Sequence, residues 1–185
     1  MTTVYTVGHG TRTSDELARI VRGAGVRRVF DVRRFPGSRR YPHFARQALE
    51  RSLPDVGVSY EWRGEALGGR RAPLATSRHG ALRVAGFRSF ADHMDTPAFR
   101  DALTALEADA TTGAPVAIMC AETLWWRCHR RLISDALVVD GFDVVHLVDA
   151  GTTQTHALHP NARVDNGTPV YDIGATTRVA TLRQE

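Results

Sequence analysis

Pro115–Met119 reads Pro-Val-Ala-Ile-Met, without a polar side chain, and runs directly into Cys120-Ala121-Glu122. A short stretch that is apolar on both faces is the pattern of a strand covered by helices on both sides, at the centre of a parallel sheet. This segment constrains the fold more than any other, because the rest of the chain must then supply helices for both faces.

The flanking sequence supplies them. Val4–Gly8 reads as a strand, and Thr13-Ser14-Asp15-Glu16 is a capping box that opens a helix running to about Arg22. Leu17, Ile20 and Val21 share one face of that helix. Val26–Val32 reads as the next strand, with Val29 and Phe30 as core candidates, followed by a loop over Arg33–Tyr41 that contains Pro36 and Gly37. Phe44 to Leu53 is expected to be helical and Val58–Trp62 a third strand, with Pro54 and Gly57 in the turn between them. Gly64–Gly80, rich in Gly, Ala, Arg and Ser, is expected to form a long loop of the kind that is functional or mobile. Two helices are expected over Phe87–Met94 and Pro97–Ala108, the second capped by Thr96 with Pro97 in its first turn. After the central strand a helix begins between Leu124 and Cys128 and ends near Val139, and Val144–Val148 is the last parallel strand. Ala162–Val164 and Val170–Asp172, with Asn166-Gly167 between them, fit a small hairpin.

Strands alternating with helices predict an α/β fold: three layers, doubly wound, a mostly parallel sheet and a small C-terminal hairpin or extension. The expected division is an α/β domain over residues 1–150 and an extension over residues 151–185 packing on it. At 185 residues and 43% hydrophobic, the chain has enough apolar material for a buried core, which excludes wholesale disorder. No apolar run reaches the roughly 18 residues of a spanning helix. No secretory signal is visible at the start, and two cysteines make no disulfide framework, so the expectation is a cytoplasmic protein with no membrane partner.

Charge points to a ligand class. All 24 basic residues are Arg. Residues 1–88 hold 17 Arg and 7 acids, a net of +10, and residues 89–185 hold 7 Arg and 13 acids, a net of −6. Coding bias accounts for Arg in place of Lys, whereas the uneven distribution suggests an anionic partner.

In doubly wound sheets the ligand site lies beyond the carboxyl ends of the strands. Three of the predicted strands lead there into reactive residues: Gly8-His9-Gly10, Asp31-Val32-Arg33-Arg34, and Cys120-Ala121-Glu122. Cys128-His129-Arg130-Arg131 falls at the start of the next helix, a natural anion site. This coincidence supports a site more strongly than any one motif. The candidate catalytic residues are Glu122, His9, Cys120, Cys128 and His129. The candidate substrate-binding residues are Arg33, Arg34, Arg39, Arg130, Tyr41, Gly68 and Gly69. Guanidinium groups bind phosphate bidentately, and Phe35 and Tyr41 are placed to stack a base. Glu122, just past a buried strand, is expected either to be desolvated with a raised pKa or to pair with Arg130 or Arg131. Trp125 and Trp126 either cover this region or pack in the core, and His156 and His159 either fold back or stay in solvent.

The cysteines admit several readings. A phosphatase needs Cys-x5-Arg, but that position from Cys120 is Trp126, which argues against it. Cys120-Ala121-Glu122 imitates the ligand-x-Glu element of zinc deaminases, but the required Pro-Cys-x-x-Cys is absent. Cys120, Cys128, His129 and His9 are acceptable metal ligands. Cys128 and His129, however, diverge by about 100 degrees if both are helical, which disfavours a shared ion. Each cysteine also reads as a small buried residue.

Thr6-Val7-Gly8-His9-Gly10, Asp31-Val32-Arg33 with Pro36-Gly37-Ser38-Arg39, and Leu67-Gly68-Gly69 resemble the DUF488 family. So do Cys120-Ala121-Glu122 and, after five intervening residues, Cys128-His129-Arg130, as well as Leu158-His159-Pro160-Asn161-Ala162-Arg163-Val164 through Tyr171. The chain departs at Trp125-Trp126, where more polar residues are expected, and at Gly10, where the family commonly has Ser. The resemblance implies a common site but names no reaction and no cofactor. The leading expectation is an enzyme acting on a phosphate-bearing substrate, a nucleotide or nucleic acid. Its alternatives are a non-catalytic nucleic-acid or anion-binding module, and a metal-dependent protein using Cys120, Cys128 and His.

Overall fold

The computed structural model describes residues 2–174. Eight strands and six helices follow one another as β1 (Thr3–Gly8), α1 (Ser14–Gly23), β2 (Arg28–Asp31), α2 (Arg46–Asp55), β3 (Ser59–Trp62) and α3 (Gly64–Leu67). They continue with α4 (Ala85–Met94), α5 (Pro97–Thr111), β4 (Val116–Cys120), α6 (Arg130–Val139), β5 (Asp143–Asp149), β6 (Thr152–Thr155), β7 (Ala162–Asp165) and β8 (Thr168–Tyr171). The expected three-layer, mostly parallel architecture is what forms. Strand order is β3-β2-β4-β1-β5-β6, with β6 antiparallel to β5 and every other pair parallel.

The apolar run predicted to be central is β4, buried at all five positions between β2 and β1. Its side chains alternate between two cores. Val116, Ile118 and Cys120 pack with α4, α5 and α6, while Ala117 and Met119 pack with α1 and α2. The capping box forms as read, with the Thr13 hydroxyl accepting from the Glu16 amide and the Glu16 carboxylate accepting from the Thr13 amide. The C-terminal hairpin also forms. Asn166 and Gly167, both at positive φ, make the tight turn between β7 and β8.

Three local expectations are corrected, and one strand was not foreseen. The helix expected from Phe44 starts at Arg46, because Pro42–Phe44 form a 3-10 turn and Ala45 is extended. Part of the loop expected over Gly64–Gly80 is the short α3. The helix expected to start between Leu124 and Cys128 starts at Arg130: Trp125–Arg127 form a separate 3-10 turn and Cys128 is extended. The strand β6 gave no apolar signal because all four of its side chains are exposed at a sheet edge.

His156 and His159 fold back onto α6. Asp135, fully buried, accepts hydrogen bonds from His156 Nε2 at 2.9 Å, the His159 amide at 2.9 Å and the Tyr171 hydroxyl at 2.8 Å. The Asp135 carboxylate only accepts, so the hydrogen-bond chain runs towards it. His146 Nε2 donates to His156 Nδ1 at 2.9 Å, and the Thr6 hydroxyl donates to His146 Nδ1 at 2.6 Å. Trp125 stacks on His146 with ring centroids 4.1 Å apart, and its indole N–H donates to Gln154 on β6. Trp125 thus packs inward, while Trp126 is 44% exposed. Residues 175–185 of the expected extension lie outside the described residues. Among the described residues no helix is long and apolar enough to cross a membrane.

Candidate functional site

The chain leaves β4 towards α6 on one face of the sheet and leaves its neighbours β1 and β2 towards α1 and α2 on the other. Loops that diverge in this way open a crevice at the carboxyl ends of the strands. The ladder continues into that crevice. His9 N donates to Cys120 O, Gly10 N to Ala121 O and Val32 N to Met119 O, each at 2.9 Å. Gly8 is needed here, since a Cβ would stand 2.0 Å from the Glu122 carbonyl oxygen and 2.8 Å from Arg130 Nη2.

Asp31, His9 and Arg33 form one buried block under the crevice. Asp31 is fully buried and Arg33 is 6% exposed. Arg33 donates from Nε to Asp31 Oδ1 at 2.8 Å and from Nη2 to Oδ2 at 2.6 Å and to the Phe44 carbonyl at 2.8 Å. The Tyr60 hydroxyl donates to the same carboxylate at 2.7 Å. Burial opposes the Arg33 cation, but the Asp31 hydrogen bonds and charge outweigh it and hold the Arg33 pKa above its ordinary value. His9 stacks on Phe44 with centroids 4.2 Å apart. Its Nδ1–H donates to the Gly10 carbonyl at 3.0 Å, which leaves Nε2 to accept from Arg33 Nη1 at 3.1 Å. Burial, then the neighbouring Arg33 cation, lowers the His9 pKa to about 4.

Cys120, Cys128 and His129 meet beside this block. Both thiols are buried, and their sulfurs lie 3.9 Å and 3.7 Å from His129 Nδ1. His129 Nε2 donates to the Val32 carbonyl at 3.1 Å, so Nδ1 presents its lone pair to the sulfurs. Gly69 permits the ring its place, since a Cβ there would be 3.0 Å from Nδ1. Burial opposes a charge on Cys128, but a hydrogen bond from Cys120 and the nearby Arg130 cation outweigh it and lower its pKa to about 7. Cys120 moves the other way, raised by that same hydrogen bond and by burial.

Above these groups lies a cleft of about 840 Å³, within the range of small-molecule sites. Arg34, Arg40, Arg70 and Arg127 line it, and none of the four is in an ion pair among the described residues. Glu122 carries the one carboxylate among the described lining residues. Its side chain is exposed and accepts from the Leu124 amide at 3.4 Å, so it is neither desolvated nor paired with Arg130 or Arg131. Phe35 and Tyr41 also line the cleft, and Arg34 and Arg40 lie 5.7 Å and 5.5 Å from their ring centroids.

The structure therefore gathers His9, Cys120, Glu122, Cys128, His129, Arg33, Arg34, Tyr41 and Gly69 around one cleft. Arg130 is elsewhere: it is 1% exposed and donates from Nη2 to the Glu122 and Thr123 carbonyls, bracing the loop from beneath. Arg39 is exposed outside the lining. Gly68 packs on Arg34, where a Cβ would stand 2.7 Å from its Cα. Two contributors escaped sequence reading. Arg127 was not among the candidates, and Phe87 entered only as the start of a helix, yet both line the cleft.

A family model described as "Domain of unknown function DUF488" matches residues 13–137, well over half of the 185 residues. The match spans the basic loop, the Gly-Gly pair and the Cys/His cluster; Gly8-His9 and the segment after β6 lie outside it. No curated protein and no solved structure matches the chain.

Proposed function

The chain belongs to the DUF488 family, and from that premise, which carries no activity, we propose that it is an enzyme acting on a phosphate-bearing substrate of nucleotide size in the strand-end cleft. The observation that carries this reading is the convergence of Arg34, Arg40, Arg70 and Arg127, none in an ion pair among the described residues, on a space whose lining has one carboxylate. Uncompensated guanidinium groups around a concave surface focus a positive potential and offer paired donors to phosphate oxygens. Phe35, 65% exposed, and Tyr41 offer faces to a base.

The roles follow from what each group has free. Glu122, solvated at the cleft edge, is the proton-transfer residue. Cys128, with its lowered pKa, is the reactive sulfur, and Cys120 and His129 are its partners. His9 has both ring nitrogens engaged, and Arg33 and Arg130 direct their donors into the protein, so these three are assigned to positioning rather than to substrate contact.

Binding of inorganic phosphate, AMP, ATP and a short single-stranded oligonucleotide, followed by calorimetry across a salt series, tests the reading. At least one phosphate-bearing ligand is expected to bind, more weakly at higher salt, with a log–log slope of about −0.7 to −0.9 per phosphate neutralised for a polynucleotide. Arg40→Ala with Arg70→Ala should weaken it roughly 10- to 1000-fold, as two charge-assisted contacts are lost. Salt-independent binding, or no binding by any probe, overturns the proposal. Glu122→Gln separates the enzyme from a plain binding module: turnover should vanish while affinity stays within a few-fold of wild type.

A further inference from the structure

We infer that Cys120, Cys128 and His129 form a binding site for a zinc-type transition-metal ion on the floor of the cleft, with one coordination position left open. This goes beyond the phosphate reading and does not depend on it; with the ion in place, Cys128 serves as a ligand and no longer as the reactive sulfur.

The geometry comes first. The two sulfurs and the imidazole nitrogen all lie within 4.8 Å of one another. Metal bonds of about 2.3 Å to sulfur and 2.0–2.1 Å to nitrogen, at tetrahedral angles, put sulfur about 3.6 Å from nitrogen. The distances here are 3.9 Å and 3.7 Å, so a few tenths of an ångström of side-chain movement complete the arrangement. The objection that neighbouring Cys128 and His129 point apart fails on the backbone. Cys128 is extended at φ −121°, ψ 148°, and the turn to helical geometry comes at His129, at φ −60°, ψ −22°. That break swings the Cys128 sulfur round to face its neighbour's ring.

A second observation is independent of the distances. His129 Nε2 donates to the Val32 carbonyl at 3.1 Å, which fixes the tautomer and aims the Nδ1 lone pair at the two sulfurs. An imidazole held through its far nitrogen is the usual outer-shell arrangement of a metal-bound histidine. Phe90 holds the ring edge-on at 4.9 Å from the other side. The ligands also come from the end of a central strand and the approach to a helix, both rigid elements.

Donor chemistry selects the ion. Two thiolates and an imidazole suit zinc and exclude magnesium and calcium, which require oxygen donors. Three protein ligands rather than four leave a position for water or a substrate oxygen, as in catalytic zinc sites. All three ligands line the cleft, so that position opens towards it. Two thiolates balance the dication, and the occupied centre adds no net charge to the Arg-lined walls.

Protein purified without a His tag, under reducing conditions and from zinc-supplemented cells, should carry about one zinc per chain by elemental analysis. Chelation followed by cobalt(II) should give the intense visible bands of tetrahedral cobalt and a thiolate-to-cobalt charge-transfer band in the near ultraviolet. Cys128→Ser and His129→Ala should each lose retained zinc by tenfold or more. Arg40→Ala should keep it, which separates failure of the metal site from failure of the phosphate reading. The inference falls if wild-type protein with both thiols titrating as free retains less than about a tenth of an equivalent and gives no cobalt spectrum. It falls equally if His129→Ala, folded by circular dichroism, retains the metal in full.

Discussion

Replacing Asp31 by Ala is expected to lower the free energy of unfolding by about 3–5 kcal/mol, a large part of the stability of a domain of this size. The carboxylate is fully buried at the end of β2 and is the counter-charge to Arg33, itself 6% exposed. It also accepts from the Arg33 amide and the Tyr60 hydroxyl. Truncation leaves a guanidinium out of water with only neutral acceptors, the Phe44 carbonyl and His9 Nε2. An unpaired buried charge is much costlier than the loss of an exposed ion pair such as Arg46–Glu50. Asp31→Asn keeps the volume and part of the hydrogen bonding but not the charge, and should fall between the two. Urea denaturation decides: the Asp31→Ala midpoint should drop with its slope unchanged. A loss below about 1 kcal/mol would mean that water reaches Arg33 in the folded protein.

Acidification should destabilise the fold well before its carboxylates are neutralised. Burial, then His156 and Arg130, lowers the pKa of His146 from 6.5 to about 3. Thr6, Trp125 and His156 enclose its ring, and Asp135 stands one hydrogen bond further on. Between these two pKa values the unfolded chain binds a proton at His146 that the folded chain refuses. The contribution is therefore fully present above pH 6.5 and is lost as the pH falls towards 3. The slope is about 1.4 kcal/mol per pH unit, so roughly 3 kcal/mol is lost between pH 6.5 and pH 4. His9 acts with the same sign down to its own pKa of about 4. Urea unfolding at a series of pH values measures the slope, and His146→Gln should flatten it by one proton. A wild-type stability flat from pH 7 to pH 4.5 would show that the folded protein accepts the proton.

What the sequence made legible is what rests on local patterns. Apolar runs gave the strands, the spacing of Leu17, Ile20 and Val21 gave the buried face of α1, and Asn166-Gly167 gave the hairpin turn. The gathering of reactive residues at the strand ends was legible too, because a doubly wound sheet dictates where its loops meet. What each group does there was not. Arg33 and Arg130 look alike as free cations in sequence, but one is taken up by a carboxylate two residues away and the other by carbonyls of a loop seven and eight residues back. Glu122 follows a buried strand yet is exposed, since the chain turns outward within two residues of Cys120. Cys128 was placed near the start of a helix, and its extended backbone removed the objection to a shared ion. His156 and Tyr171 meet Asp135 across 21 and 36 residues, a pairing that no local pattern encodes.

The position of β1 between β4 and β5 governs how the chain comes into being. β1, the earliest strand of this sheet in chain order, has Val4 paired with Val116 and Val144, residues more than a hundred positions downstream. At a synthesis rate of about 5–20 residues per second, roughly 5–20 s separate β1 from β4. Throughout that interval the nascent chain carries an apolar strand with both edges open, and of the final sheet only β2 and β3 have their partner in hand. The centre of the finished sheet is thus its longest-waiting piece, and its open edges stay exposed to aggregation until β4 has been made.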